Sequence, residues 1–140
     1  MAADPSIRIL VVDDYSTMIR ILRNLLGQIG FSNVEEAKDG LEALTKLQSD
    51  KYSLVISDWN MQPLNGYELL TRVRGDSRLC EVPFIMITAE SKTENVIAAK
   101  KAGVSGYIVK PFNAETLKTK INSLFEDIPI TQRGLTAASA

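Results

Sequence analysis

Four short apolar stretches of this chain each end in a polar or charged residue, and this repeated arrangement constrains the fold more than any other feature. They cover residues 7–12, 54–57, 84–87 and 107–109, and they are followed by Asp13-Asp14, Asp58, Thr88 and Lys110-Pro111. Apolar runs of this length that stop at polar or turn-forming residues are typical of buried strands. If the strands are parallel, one edge of a single sheet brings together three carboxylates, a hydroxyl and an amine.

Helical periodicity separates the strand-like runs. In most of the intervening segments apolar residues recur at three- and four-residue steps, the pattern of one buried helix face. These residues are Met18, Leu22, Leu25, Leu26 and Ile29, then Leu41, Leu44 and Leu47, then Leu69, Leu70 and Val73, and finally Leu117, Ile121, Leu124 and Phe125. The predicted boundaries are Gly30 as a left-handed C-cap, Asp39-Gly40 at the start of the second helix, Ser91 with Glu94 as a capping box for a fourth helix through Ala102, and Asn113 as the cap of the fifth.

A weaker strand is expected at residues 33–37, which completes five βα units. This succession predicts an α/β fold, a doubly wound three-layer sandwich in which helices cover both faces of a parallel sheet. We expect one domain at residues 6–126. Residues 127–140 are mostly small or polar and include Pro129 and Gly134, so they are predicted to form a flexible C-terminal tail.

The composition narrows the functional classes. The formal net charge is −1, so no overall field favours nucleic acid or an acidic membrane surface. Cys80 is the only cysteine, which fits a reducing compartment and excludes an internal disulfide. Residues 1–5 lack the features of a secretion signal, and no apolar stretch approaches the ~18 residues of a membrane span. We therefore expect a cytoplasmic protein.

The acidic cluster points to a metal ion. Three carboxylates crowded at one sheet edge repel one another and need a cation to offset their charge. The chain has no His and one Cys, so an oxygen-preferring ion such as Mg²⁺ fits better than a soft metal. Its expected ligands are Asp13 or Asp14 together with Asp58. Asp58 is also the best candidate nucleophile, because a carboxylate can form an acyl phosphate.

Asp13-Asp14, Asp58, Thr88 and Lys110-Pro111 follow one another in this order, each at a strand end. With this arrangement the chain resembles the receiver domain of two-component response regulators over about residues 6–126. Among receivers the likeness is closest to the stand-alone chemotaxis regulators of the CheY type, and it is carried by Asp58-Trp59-Asn60-Met61, Ala89-Glu90, Asn95 and Gly106-Tyr107. The resemblance implies a (βα)5 flavodoxin-like fold with strand order 2-1-3-4-5. It also implies that Asp58 is the phosphoacceptor and that the backbone carbonyl of Asn60 joins the carboxylates as a metal ligand.

The resemblance further implies a switch. Lys110 would neutralise charge on the phosphoryl group, the Thr88 hydroxyl would be drawn toward it, and Tyr107 would turn inward as the partner of Thr88.

The chain departs from the usual receiver sequence in the turn after the acceptor. Receivers commonly have Met-Pro there, whereas Gln62 separates Met61 from Pro63 in this chain, and a displaced proline alters the turn.

The expected partners are proteins. Because the chain has no His, the phosphoryl donor must be another protein or a small molecule. The resemblance implies a sensor histidine kinase of the chemotaxis type. The expected output is binding to a protein such as a flagellar motor switch component, by a monomer without nucleic-acid or membrane partners. A phosphate sink, which drains a kinase without any output, is equally compatible with the sequence.

Two other functions stay open at this stage. An Mg²⁺-dependent phosphohydrolase with an aspartate nucleophile would place Asp-x-Asp after the first strand, where this chain has Asp-Asp-Tyr. A flavodoxin-like nucleotide binder would need a glycine-rich phosphate loop there, which the chain lacks. Taken one at a time, the site residues also fit roles that involve no chemistry: Asp14 as a helix cap, Asp58 as a loop acid, Thr88 as a strand residue and Lys110 as a surface charge.

Overall fold

The computed structural model describes residues 4–89 and 92–126, in which strands and helices alternate. The elements are β1 Ile9–Val12, α1 Ser16–Ile29, β2 Val34–Ala37, α2 Gly40–Ser49, β3 Leu54–Asp58, α3 Gly66–Gly75, β4 Phe84–Thr88, α4 Thr93–Lys101, β5 Gly106–Val109 and α5 Ala114–Glu126. The predicted succession of βα units is confirmed.

The strands form one parallel sheet in the order β2-β1-β3-β4-β5, which confirms the predicted topology. Their register aligns the strand ends, since Val12 pairs with Ser57 and Thr88 pairs with Val109. The polar residues that end β3 and β4, and those that follow β1 and β5, therefore meet at one edge of the sheet. From β1 the chain continues to β2 at one side of the sheet, and from β3 it continues to β4 and β5 at the other side. Such a reversal of strand order opens a crevice at the carboxyl ends of the strands.

Each face of the sheet has its own apolar core, because side chains of a strand alternate between the two faces. Ile9 and Val11 of β1 belong to one cluster, and Leu10 and Val12 belong to the other. The first cluster is completed by α1 and α5 through Ile19, Leu22, Leu26, Leu117 and Ile121. The second is completed by α2 and α3 through Ala43, Leu47, Leu69, Leu70 and Val73. The two cores bury every residue of β1, β3 and β4, and these strands carry most of the site.

Three of the predicted helix boundaries are confirmed. Gly30 adopts the left-handed conformation with a φ of 116° at the end of α1. The Asp39 side chain accepts a hydrogen bond of 2.8 Å from the Glu42 N–H at the start of α2. The Asn113 side chain accepts one of 2.8 Å from the Thr116 N–H at the start of α5. These side chains satisfy amide donors that a helix leaves unpaired at its first turn.

The predicted core face of α2 was partly wrong. Leu41 is 47% exposed, and the buried residues of this helix are Gly40, Ala43 and Leu47. The periodicity of leucines placed Leu44 and Leu47 correctly against the core, but it missed Gly40 and Ala43, which occupy positions where α2 approaches its neighbours closely. A Cβ on Gly40 would lie 2.7 Å from the carbonyl oxygen of Leu64.

The capping box predicted for α4 rests on Ser91, whereas the described residues contain a complete box on α3. Lys92 occupies the N-cap position of α4 without a side-chain hydrogen bond to the helix, and Ser91 lies outside the described residues. A complete capping box is found instead on α3, between Asn65 and Glu68. The sequence contained this signal, since Asn65 precedes Glu68 by three residues just before an apolar run.

The predicted tail, residues 127–140, lies outside the described residues, as does Glu90 of the Ala89-Glu90 match. Within residues 4–89 and 92–126, each helix is too short or too polar to cross a membrane. The described residues include every side chain that the sequence assigned to the site.

Candidate functional site

Asp58 ends β3, between β1 and β4, and is buried there. Its Oδ2 accepts a hydrogen bond of 2.9 Å from the N–H of Asn60. Its Oδ1 lies 2.7 Å from Nζ of Lys110, and apart from this ion pair it has no hydrogen-bond partner among the described residues. One oxygen is thus held by the following loop, while the other faces a cation. This arrangement suits a carboxylate that attacks an anionic group.

Asp13 follows β1 and is also buried, with 3% of its surface exposed. Its Oδ1 accepts a hydrogen bond of 3.0 Å from the N–H of Tyr15. Its Oδ2 is buried and has no hydrogen-bond partner in the part of the chain that the structure describes. Burial raises the pKa of Asp13 from 3.8 to about 6; the Tyr15 N–H lowers it, and the nearby charges of Asp58 and Lys110 act in opposite directions. A buried oxygen without a partner is costly, and a cation would satisfy it.

Asp14 and Asn60 lie at the outer side of this pocket. Both are exposed, and both line a polar cavity of about 640 Å³ together with Met61, Gln62, Pro63, Asn65 and Glu68. Among residues 4–89 and 92–126, no group of three or more Asp, Glu, Cys or His side chains is arranged to hold a metal ion. The three carboxylates expected at this edge nevertheless lie close enough for the charges of Asp58 and Asp14 to act on Asp13. Asp13 and Asp58 are both buried, whereas Asp14 is exposed because consecutive residues after a strand point to opposite sides.

Thr88 and Lys110 occupy neighbouring strand ends. Thr88 is the last residue of β4 and is 1% exposed. The Lys110 N–H donates to the Thr88 carbonyl at 2.8 Å, and the Trp59 N–H donates to the Ile87 carbonyl at 2.9 Å. The hydrogen bonds of the sheet thus continue beyond β3 and β5, which fixes the backbone positions from which Lys110 and Trp59 extend.

The loop from Trp59 to Asn65 is packed closely against the acceptor. The Gly66 N–H donates to the Trp59 carbonyl at 2.8 Å, which closes the loop at its base. A Cβ on Gly66 would overlap the carbonyl oxygen of Asp58 and would lie 2.9 Å from Cα of Trp59. This position therefore requires glycine.

Two aromatic contacts surround the residue next to the acceptor. The rings of Trp59 and Tyr107 meet edge to face, with centroids 6.4 Å apart. The rings of Trp59 and Tyr67 stack, with centroids 5.6 Å apart and planes at 18°. Sequence analysis singled out Tyr107 and missed Tyr67. In the sequence, only its position directly after Gly66, at the base of the acceptor loop, indicated that Tyr67 lies near the site.

Comparison with known proteins agrees with this geometry. The family model described as the response regulator receiver domain matches residues 9–122. The chain is 51% identical over 121 residues to "Chemotaxis protein CheY-3" of Vibrio cholerae serotype O1, covering 86% of this chain and 93% of that protein. It is 50% identical over 121 residues to "Chemotaxis protein CheY" of Pseudomonas aeruginosa, covering 86% of this chain and 98% of that protein.

The structural likeness is equally extensive. The solved structure of the chemotaxis response regulator CheY4 of Vibrio cholerae matches with a TM-score of 0.79 and 35% sequence identity, over 85% of this chain and 98% of that chain. The family match includes all five strands and the site residues from Asp13 to Lys110. Sequence, topology and strand-end chemistry thus agree that this chain belongs to the response regulator receiver domain family, with CheY-type chemotaxis proteins among its relatives.

Proposed function

We propose that this protein is a phosphorylation-dependent signalling switch whose phosphoacceptor is Asp58. The observation that carries the proposal is the ion pair between Asp58 Oδ1 and the Lys110 ammonium, at 2.7 Å, on a carboxylate that is otherwise buried. A carboxylate is a weak nucleophile toward an anionic phosphoryl group unless nearby positive charge reduces the repulsion. Lys110 provides that charge at the attacking oxygen.

The reaction proposed for Asp58 is a single displacement at phosphorus. An oxygen of the carboxylate forms the new P–O bond while the bond from phosphorus to the donor breaks, and the electron pair of that bond leaves with the donor. Such transfers depend mainly on positioning and charge neutralisation. The Asn60 N–H holds the carboxylate, and the Lys110 ammonium remains close to the phosphoryl oxygens.

The donor atoms of the pocket fit Mg²⁺. Asp13 Oδ2 is buried without a hydrogen-bond partner among the described residues, and Asp58 is buried beside it. These two carboxylates, together with the Asp14 carboxylate and the Asn60 carbonyl, would hold the ion. A site with few protein ligands suits Mg²⁺, which keeps several waters. When bound, the ion would neutralise charge on the phosphoryl oxygens.

The output step of the proposal involves Thr88 and Tyr107. A phosphoryl group on Asp58 would attract the Thr88 hydroxyl, because Thr88 ends the strand next to β3. Movement of Thr88 would leave space for Tyr107 on β5, whose register places it one strand away. The face formed by α4, β5 and α5 would change as a result. Charge-assisted hydrogen bonds are worth about 1.5–3 kcal/mol each, enough to move a two-state equilibrium tenfold.

The proposed donor is a phosphohistidine on a sensor histidine kinase, since this chain contains no histidine. The relatives named as chemotaxis proteins support a chemotaxis kinase as donor and a flagellar motor switch component as the output partner. We assign the receiver to residues 6–126 of a cytoplasmic monomer. A phosphate sink would share the acceptor chemistry but would lack the response at Tyr107.

An aspartate-nucleophile phosphohydrolase has less support. Its nucleophile would follow the first strand at Asp13, but the lysine ion pair is made by Asp58 instead. The raised pKa of Asp13, about 6, also reduces the fraction of Asp13 that is ionised.

Intact-mass analysis after incubation with Mg²⁺ and acetyl phosphate tests the acceptor. We expect one phosphoryl group per chain, sensitive to base and hydroxylamine, and none on Asp58→Asn. Asp76→Asn, which changes an aspartate at the end of α3, is the matched control and should accept the group normally. Equal phosphorylation of Asp58→Asn would show that the acceptor is another residue.

A further inference from the structure

Tyr67 packs against the residue next to the acceptor, although the family resemblance gives it no role. Its ring stacks on Trp59, with centroids 5.6 Å apart and planes at 18°. Trp59 in turn meets Tyr107 edge to face, with centroids 6.4 Å apart and planes at 81°. These three residues form an aromatic row that runs from the first turn of α3 to β5, with Trp59 in the middle.

The backbone of Trp59 is held on both sides. Its N–H donates to the Ile87 carbonyl at 2.9 Å, and its carbonyl accepts the Gly66 N–H at 2.8 Å. The absence of a Cβ on Gly66 lets α3 begin directly against this backbone, and the next residue is Tyr67. Since the backbone is fixed, the orientation of the indole depends on its own side-chain torsions. The ring of Tyr67 contacts the indole in the orientation that the structure shows.

We propose that Tyr67 is a positioning residue of the switch. By stacking on Trp59 it stabilises the indole orientation that contacts Tyr107, and it thereby favours the side-chain rotamer of Tyr107 seen in the structure. The effect on the Tyr107 rotamer does not require phosphorylation of Asp58, whereas its consequence for signalling rests on the proposed function. The free energy of an aromatic pair corresponds to about a two- to tenfold change in a two-state ratio. Loss of the Tyr67 ring therefore shifts the Tyr107 rotamers measurably.

The experiment measures the Tyr107 rotamer ratio in the unphosphorylated chain, from the three-bond NMR couplings of Tyr107 Cγ to the backbone nitrogen and carbonyl carbon. In Tyr67→Leu the observed rotamer should become less populated, its ratio falling by about two- to tenfold. Acrylamide should also quench Trp59 more strongly, and this emission comes from the only tryptophan of the chain. Tyr67→Phe keeps the ring and should retain the wild-type couplings. Thr71→Leu, an exposed position one turn further along α3, is the matched control.

Unchanged Tyr107 couplings in Tyr67→Leu would overturn the role of Tyr67. An equal shift in Tyr67→Phe would also overturn it, because the stacked ring would not be the cause. If Tyr67→Leu does not fold, Tyr67→Met supplies the same measurement. Failure of Asp58 to accept a phosphoryl group overturns the proposed function and is read from intact mass. Normal phosphorylation with unchanged couplings overturns only the inference about Tyr67.

Discussion

Lys110 pairs with Asp58 across the width of β4, since the two residues follow β5 and end β3 and their charged atoms are 2.7 Å apart. The two partners are not equally buried. The side chain of Lys110 is 29% exposed, whereas that of Asp58 is 7% exposed. The carboxylate therefore depends on the lysine more than the lysine depends on the carboxylate.

This asymmetry predicts the order of two stability changes. Lys110→Ala should lower the free energy of unfolding by about 1–3 kcal/mol, the cost of a buried polar group without its partner, because it leaves the Asp58 carboxylate without its cation. Asp58→Asn should cost less or stabilise the fold, because the remaining ammonium reaches solvent. Urea unfolding at neutral pH without divalent ions measures both. A larger loss in Asp58→Asn than in Lys110→Ala would contradict the described pairing.

Asp13 should make stability depend on pH. Its pKa is raised by burial from 3.8 to about 6, so the folded state binds the proton more tightly than the unfolded state. The free energy of unfolding then falls as pH rises from about 4 through about 6, a loss of about 2–3 kcal/mol. Asp13→Asn removes this loss. The free energy of unfolding of the variant, relative to that of the wild type, should therefore rise as pH increases from about 4 to about 7. If the free energy of unfolding depends on pH in the same way for both proteins without Mg²⁺, the pKa of Asp13 is not raised by folding.

Mg²⁺ should change the emission of Trp59, the only tryptophan, in a saturable way because this residue adjoins Asp58. Asp13→Asn should weaken the apparent affinity by at least about tenfold, since it removes the unpartnered carboxylate oxygen. Asp14→Ala should weaken it less, because Asp14 is exposed at the outer side of the pocket. Asp76→Asn serves as the control. A titration unchanged in both Asp13→Asn and Asp14→Ala would exclude a metal site at this position.

Gly66 should tolerate no side chain. A Cβ there would overlap the Asp58 carbonyl oxygen and would lie 2.8 Å from Sδ of Met86. Gly66→Ala should therefore lower the free energy of unfolding by about 1–3 kcal/mol and slow the phosphorylation of Asp58. Gly27→Ala is the matched control, because it lies in α1 with no atom within 4 Å of the added Cβ, and it should be neutral or stabilising. Equal stability of the two variants would mean that the acceptor loop adapts to the added group.

Much of the fold was predictable because strand burial and turn chemistry are local signals. The run at residues 54–57 identified β3, and Gly30 identified the end of α1. The core face of α2 was only partly predictable from its leucines, because close approach of helices also favours glycine and alanine, whose small side chains give a weak apolar signal. Leu41 is exposed for this reason, while Ala43 is buried.

The residues of the site were predictable from their strand-end positions, but their contacts were not. Asp13 and Asp14 are chemically equivalent in sequence, and only the direction of the chain after β1 distinguishes the buried carboxylate from the exposed one. The stack between Trp59 and Tyr67 depends on how α3 docks against the acceptor loop. That docking is set by packing at Gly66, which no local pattern encodes.

Chemical-shift mapping with Mg²⁺ and beryllofluoride, an analogue of the phosphoryl group, tests the switch most directly. We expect amide shifts in the pocket loops and also across residues 92–109, where α4 and β5 lie beyond Thr88. Thr88→Ala should still accept one phosphoryl group on Asp58 but should lose most of the distant shifts. Perturbations confined to the pocket loops in the wild-type protein would contradict the switch and leave only a phosphate sink.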